Sequence, residues 1–254
     1  MRRAGMALAL TLAAVSAANA VQVSIDNGTA PAGGIVALDV RMTSVTTPPE
    51  ALVLVLDYNP QQLTLCKVTT VMGLAGLTVD FEPRAGGATL VLFGGAMEEG
   101  ATLRLYLEVA PGVTNGTSIP ITDGGSSAAT AEAEALDLAV SETIVTVAPL
   151  SQAHRGDTDG NGRFSLSELL RVIQLFSLGP LYCDSASEDG FSATPDDRSC
   201  PPHDSDYAPQ DWRVDLSELL RAIQFYNSLK GAYHEESGGE DGYAPGPASP
   251  GQDE

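Results

Sequence analysis

The chain has 254 residues, 43% of them hydrophobic, which is enough for about two small domains. Its 33 acidic against 13 basic side chains give a net charge of −20, so nucleic acid is excluded as a natural partner: no basic surface is available to displace counterions from phosphates. After residue 20 no apolar run approaches the roughly 20 residues that a membrane-spanning helix needs.

Residues 1–20 read as a secretory signal peptide. Arg2 and Arg3 precede an apolar run, and Ala18-Asn19-Ala20 supplies the small residues of a cleavage site, placing the mature start near Val21. No cysteine follows that site, which argues against a lipid anchor there. The expected location is secreted, either extracellular or at the cell surface.

Residues 21–148 carry short alternating or continuous apolar runs at 21–25, 35–42, 51–58, 63–71, 89–93, 103–109 and 143–147, punctuated by Gly, Pro, Asn and Asp. Regular strands with turn signals predict a β-sandwich. The alanine-rich stretch 128–139 is either a helix or a loop with a strand at its end. Cys66 alternates with Leu63 and Leu65, which predicts a buried apolar side chain.

The phrase Leu56-Asp57-Tyr58-Asn59-Pro60-Gln61-Gln62-Leu63-Thr64-Leu65 resembles the strand-turn segment of cohesin domains. Pro31-Ala32-Gly33-Gly34 before Ile35, and the strand from Gly100 to Val109 followed by Gly116 to Ile121, also look like the cohesin pattern. The resemblance implies a jelly-roll β-sandwich that binds protein. Carbohydrate-binding sandwiches share a related fold, but a sugar platform wants exposed aromatics. This region offers only Tyr58, Phe81, Phe93 and Tyr106, with no tryptophan.

After a linker at 149–155 comes Asp157-Thr158-Asp159-Gly160-Asn161-Gly162-Arg163-Phe164-Ser165-Leu166-Ser167-Glu168. Oxygen donors fall at loop positions one, three, five and nine (Asp157, Asp159, Asn161, Ser165), glycine sits at six, and Glu168 at twelve can close a cation bidentately. This is the spacing of a calcium (Ca2+) loop. Position seven contributes its backbone carbonyl, so the Arg163 side chain is expected to face water.

The segment Leu166 to Gln174 recurs as Leu216 to Gln224, an internal duplication. A second loop ending at Glu218 takes Asp204, Asp206, Asp211, Asp215 and Glu218 as side-chain ligands with the Arg213 carbonyl, is three residues longer than the first, and has Trp212 where glycine is expected. Each loop runs into an amphipathic helix, with Leu166, Leu169, Leu170, Ile173 and Phe176, then Leu216, Leu219, Leu220, Ile223 and Tyr226, at helical spacing. The two faces are expected to bury against each other. Residues 149–156 are too short and broken to form an entering helix, so each unit is a half EF-hand, a calcium loop plus its exiting helix.

That arrangement over residues 156–234 resembles the dockerin module, which implies calcium-dependent docking into cohesin-like partners. It further implies that loop positions ten and eleven, here Leu166, Ser167, Leu216 and Ser217, choose the partner. The rival reading puts both leucines in the core. Cys183 and Cys200 bracket the connection between the units and are expected to form a disulfide.

Residues 235–254 are Gly, Pro, Ser and acid, expected to be disordered or to lie loosely on the module. Yet Glu240-Asp241-Gly242-Tyr243 echoes Glu188-Asp189-Gly190-Phe191, so an aromatic that packs back on its own helix is one role for this segment. Catalysis has little support. The sandwich has no histidine; Glu98 with Glu99 and Asp80 with Glu82 have the look of a glycosidase acid pair, but the adjacent acids next to Gly100 read as an exposed turn.

The expectation is a mainly β N-terminal domain, a cohesin-like jelly-roll β-sandwich, plus a small α C-terminal module of two half EF-hands. Together they make a secreted, non-enzymatic adaptor for cohesin-like or dockerin-bearing proteins in an extracellular polysaccharide-degrading assembly. The alternatives are a carbohydrate-binding sandwich tethered by the calcium module, with polysaccharide as its ligand, and a structural surface protein rigidified by calcium.

Overall fold

Alternation of apolar and polar residues builds the N-terminal half of the computed structural model, which describes residues 21–250; the proposed signal peptide lies outside the described residues. Thirteen strands follow one another: β1 (Val21–Ile25), β2 (Gly28–Ala30), β3 (Ile35–Val45), β4 (Ala51–Asp57), β5 (Leu63–Met72), β6 (Thr78–Arg84), β7 (Gly87–Phe93), β8 (Thr102–Val109), β9 (Ser118–Asp123), β10 (Ser127–Ala129), β11 (Ala135–Leu136), β12 (Leu138–Val140) and β13 (Thr143–Val147). They form two sheets. One has the order β12-β1-β3-β8-β5; the other runs β11-β10-β4-β9-β13-β2, with β7 on β4 and β6 outside β7.

The pleat sends every second side chain inward. Leu52, Leu54 and Leu56 of β4, Ala88, Leu90 and Leu92 of β7, and Leu103, Leu105 and Leu107 of β8 meet in one apolar core. Each buried leucine contributes about 1.5–3 kcal/mol of apolar transfer free energy. The first and last strands of the sandwich each break and cross between sheets, β1 into β2 and β12 into β13. Asn27 fixes this crossing by accepting from the Ile144 N–H at 3.0 Å. The alanine-rich stretch forms short strands rather than a helix.

Cys66 departs from expectation. It occupies a bulge in β5 between Leu65 and Lys67, where the register against β8 shifts, so it leaves the inward row and lies half-buried with Sγ donating to the Tyr106 carbonyl at 3.1 Å.

The C-terminal half has its own core. Helix α1 (Leu166–Leu178) is followed by the hairpin β14 (Tyr182–Cys183) and β15 (Phe191–Ser192); helix α2 (Leu216–Asn227) is followed by the hairpin β16 (Tyr233–Glu235) and β17 (Tyr243–Pro245). The repeated unit is therefore loop, helix and hairpin. The expected disulfide joins Cys183 to Cys200 with a Cα separation of 6.0 Å.

The segment expected to lie loosely is built in. Tyr243 is 3% exposed and packs against His154 and Tyr233, while Arg221 donates to the Tyr243 carbonyl at 2.6 Å and pairs with Asp241. Arg171 repeats the pattern with Asp189 and the Phe191 carbonyl. Beyond this hairpin, Arg104 on β8 donates to Ser249 at 3.0 Å. Arg104 also forks Asp39 at 2.6 and 3.1 Å, which pairs the charge of a residue only 4% exposed. Among the described residues no helix is long and apolar enough to cross a membrane.

Candidate metal centre

Loop one closes on itself through its own carboxylates. Ser165 caps α1, accepting from the Glu168 N–H at 3.3 Å, while Glu168 Oε2 accepts from the Ser165 N–H at 2.8 Å, a reciprocal capping box. This turns Glu168 back over the loop, where its Oε1 accepts from the Thr158 N–H at 2.9 Å. Asp157 receives the N–H groups of Asn161 and Gly162 at 3.1 and 2.8 Å. Gly160 and Gly162 have φ of +67° and +75°, values that side chains rarely tolerate, which is why the tight turns fall there.

The result is a concentration of oxygen with too little positive charge. One oxygen from each of Asp157, Asp159 and Glu168 lies within 4.8 Å of the others. Asp157 and Glu168 are 4% and 5% exposed. Burial pushes the Asp157 carboxyl up to about 6, and the nearby Glu168 charge adds to it, against hydrogen bonds from Tyr233 and Gly162. The Asn161 Oδ1 atom is buried without a hydrogen-bond partner. An orphaned amide oxygen beside crowded carboxylates fits a hard cation of the calcium type. In that case Asp157, Asp159, Asn161 and Glu168 hold it by side chain and Arg163 by its carbonyl, with Ser165 at the position that often acts through water.

The Arg163 side chain does not face water as expected. Its Nη1 donates to Glu108 Oε1 at 2.7 Å and to the Gly33 carbonyl at 3.0 Å, and its Nε donates to the Lys230 carbonyl at 2.9 Å. This contact was not legible near the loop, because both acceptors on the sandwich are more than fifty positions away.

Loop two begins at Asp206, not Asp204. Asp206 takes the place of Asp157: it accepts from the N–H groups of Asp211 and Trp212 at 2.9 and 2.8 Å, and its own N–H bonds the His203 carbonyl as that of Asp157 bonds His154. Glu218 repeats Glu168, accepting from Tyr207, Ala208 and Asp215. Trp212 adopts φ +67°, the conformation that Gly162 has in loop one. The loop is thus one residue longer than the first, and Ala208-Pro209 occupies the place of Asp159, so the position-three carboxylate is missing, while Asp211 and Asp215 stand where loop one has Asn161 and Ser165.

Asp204 stands apart because it lies two residues upstream of the loop, in the place of Arg155. The two meet: Arg155 N–H donates to Asp204 Oδ2 at 2.6 Å and the side chains pair at 3.8 Å. Asp211, Arg213 and Asp215 are exposed, with Asp215 acting as the cap of α2.

The helices are rotated relative to expectation. Leu169, Val172 and Leu175 of α1 and Leu219, Ala222 and Phe225 of α2 face the core, because the helix must turn its Glu168 or Glu218 into the loop. Leu166 and Leu170 are left 57% and 49% exposed, and Leu216 and Leu220 61% and 48%. This excludes the reading that placed Leu166 and Leu216 in the core.

Sequence reasoning missed Tyr233. Its hydroxyl donates to Asp157 Oδ2 at 2.7 Å and accepts from the His154 N–H at 2.9 Å, so the hairpin of the second unit completes the loop of the first. Leu181 holds the matching place in the first hairpin: its N–H bonds the Trp212 carbonyl as that of Tyr233 bonds Gly162. Aligning the hairpins as well as the helices would have exposed this asymmetry.

No family model and no curated protein matches the chain. Among solved structures it is similar to the sixth cohesin of scaffoldin B from Acetivibrio cellulolyticus, in complex with a mutant Cel5 dockerin, at 14% identity and TM-score 0.44 over 50% of this chain and 98% of that one. It is also similar to a non-cellulosomal cohesin from Archaeoglobus fulgidus, at 15% identity and TM-score 0.43 over 50% and 90% of the two chains. The cohesin module of a family 33 glycoside hydrolase from Clostridium perfringens is similar at 14% identity and TM-score 0.45, over 52% and 98%.

Proposed function

We propose that this chain is a calcium-dependent, non-enzymatic adaptor. Its sandwich receives dockerin-type modules, and its C-terminal module docks into cohesin-type partners. The observation that carries the reading is the pair of leucine patches, Leu166 with Leu170 and Leu216 with Leu220, placed where each loop passes into its helix and open to solvent. Apolar side chains repeated in this way are costly to leave in water unless a partner covers them. The loops set the pitch of the helix starts, so a cation held there fixes the patches for docking.

The outward face of β4 and β7 supports the other half of the proposal. Val91 and Phe93 are 36% and 47% exposed beside half-buried Val53 and Val55, a flat apolar strip suited to a helical partner rather than a sugar ring. In this reading the chain works outside the cell, in an assembly that degrades polysaccharide. The Cys183–Cys200 disulfide supports an oxidising compartment.

The test is retention of purified cohesin and dockerin modules on the immobilised full chain, in millimolar calcium and in EDTA. Calcium-dependent retention of a cohesin, lost in a Leu166→Asp, Leu216→Asp protein that still binds calcium, is the expected outcome. If no cohesin is retained while calcium still binds, the module is a metal-stabilised structural element and the docking reading fails.

A further inference from the structure

Loop one is held from outside by the sandwich at the positions that would hold the cation from inside. Arg163, whose carbonyl is the position-seven donor, sends its guanidinium to Gly33 and Glu108. Lys230, at the end of the turn after α2, approaches the second oxygen of Glu108 at 2.5 Å. Asn161, the position-five donor, lies under the turn from Pro31 to Gly34. A Cβ on Gly34 would come 2.8 Å from the Asn161 carbonyl, and one on Gly33 would come 3.3 Å from the Asn161 Cβ. Gly162, between these two donors, leaves room for the Pro31 ring, which would be 3.3 Å from a Cβ there.

The same three residues therefore face a carboxylate cluster on one side and the sandwich on the other. Drawing the Asn161 Oδ1 and the Arg163 carbonyl towards Asp157 sets where the backbone at 161–163 lies, and that backbone is the surface on which Gly33 and Gly34 are seated. We propose that cation binding in loop one and docking of the C-terminal module on the sandwich are one coupled equilibrium: the cation locks the relative orientation of the two domains, and the sandwich raises the affinity of loop one. This rests on the calcium reading given above. Coupling of this kind is reciprocal, so whatever free energy the cation adds to docking, docking adds to cation binding. Loop two is not part of it, since Arg213, the counterpart of Arg163, is exposed.

The experiment titrates calcium into the full chain by calorimetry, for the wild type, Glu108→Gln, Gly34→Ala and a control, Glu82→Gln, on the exposed side of β6. Small-angle scattering of each protein with calcium and with EDTA reports domain separation. Circular dichroism checks that each folds; should Gly34→Ala not fold, Glu108→Gln carries the test. Expected are a calcium affinity about fivefold or more weaker in Glu108→Gln and Gly34→Ala and unchanged in the control. The radius of gyration of the wild type rises in EDTA and is already raised in the two interface variants. Equal calcium affinities in all four proteins, with scattering unaltered by EDTA, overturn the coupling and leave the calcium reading intact. Absence of calcium binding by the wild type overturns the calcium reading, and the coupling with it.

Discussion

The Tyr233 hydroxyl, carried by the hairpin of the second unit, donates a 2.7 Å hydrogen bond to Asp157 Oδ2 in the loop of the first. It also accepts from the His154 N–H. Removing it leaves a buried carboxylate short of one donor and a buried amide without its acceptor. Hydrogen bonds to charged groups are worth about 1.5–3 kcal/mol. Tyr233→Phe is therefore expected to lower the stability of the C-terminal module by about that amount in urea unfolding, with little loss of packing. A melting curve indistinguishable from wild type would show that the hydroxyl contributes nothing across the repeats.

Both aromatic plugs of the hairpins are core residues, Phe191 at 0% and Tyr243 at 3% exposure. Truncating such a side chain costs about 3–5 kcal/mol. Tyr243→Ala and Phe191→Ala should each lower the unfolding midpoint of the module while sparing the sandwich, which has a separate core. Asp241→Lys should be as severe, because the Asp241 side chain is 1% exposed and its loss leaves Arg221 facing a like charge. Hydrogen exchange that stays fast only in the module would locate the damage.

Much of the architecture is written in the sequence at periods of two and at fixed loop spacing. The strands with the cleanest alternation, β1 and β13, are found at their expected bounds, and β4, β5, β7 and β8 within a residue or two. β6 escaped notice because its apolar row is only Val79 and Phe81, alternating with the exposed Asp80 and Glu82 before Pro83 ends it; it lies at the outside of its sheet, where a proline costs little. Loop one was legible because its donors are local in sequence. The register of loop two was not: Asp204 and Asp206 are both acidic, and only the backbone groups that Asp206 receives distinguish them. The helix faces misled because each helix carries two apolar stripes, and the period alone does not say which is covered.

The buried histidines give the module a pH dependence. His154 and His203 are each 1% exposed, and each accepts an N–H on its Nδ1, from Gly156 and Ser205. Burial brings His203 down to about 4, with Asp189 opposing and Arg155 and Arg171 adding to the shift. His154 is held well below the usual histidine range by burial, with His203 and Arg221 adding. In the unfolded chain both titrate near 6.5. As the pH falls below that value the unfolded state gains protons that the folded state refuses, so stability is full above about 6.5 and falls towards 4. For His203 the loss is on the order of 3 kcal/mol. Asp157, pushed up to about 6, acts in the opposite sense in metal-free protein. The comparison of wild type with His203→Phe in EDTA removes that contribution. A smaller slope of stability against pH in the variant is expected; parallel curves would mean that the ring does not titrate on unfolding.

Loop two bears on how many cations the chain takes. It keeps Asp206, Asp211, Asp215 and Glu218 but has Ala208-Pro209 where loop one has Asp159, so it lacks the position-three donor; among the described residues it is the loop-one acids Asp157, Asp159 and Glu168 that converge within 4.8 Å. Calcium titration of the full chain is expected to resolve a tight site and a second one at least about tenfold weaker. Asp157→Asn should abolish the tight event and Asp206→Asn the weak one. Asp204→Asn should leave both, because that carboxylate is committed to the Arg155 N–H and side chain rather than to the loop. At free calcium a hundred times its dissociation constant, the tight site should add about 2.7 kcal/mol to the stability of the module, lost in EDTA. If Asp204→Asn removes the weak event while Asp206→Asn spares it, loop two begins two residues earlier than its hydrogen bonds indicate.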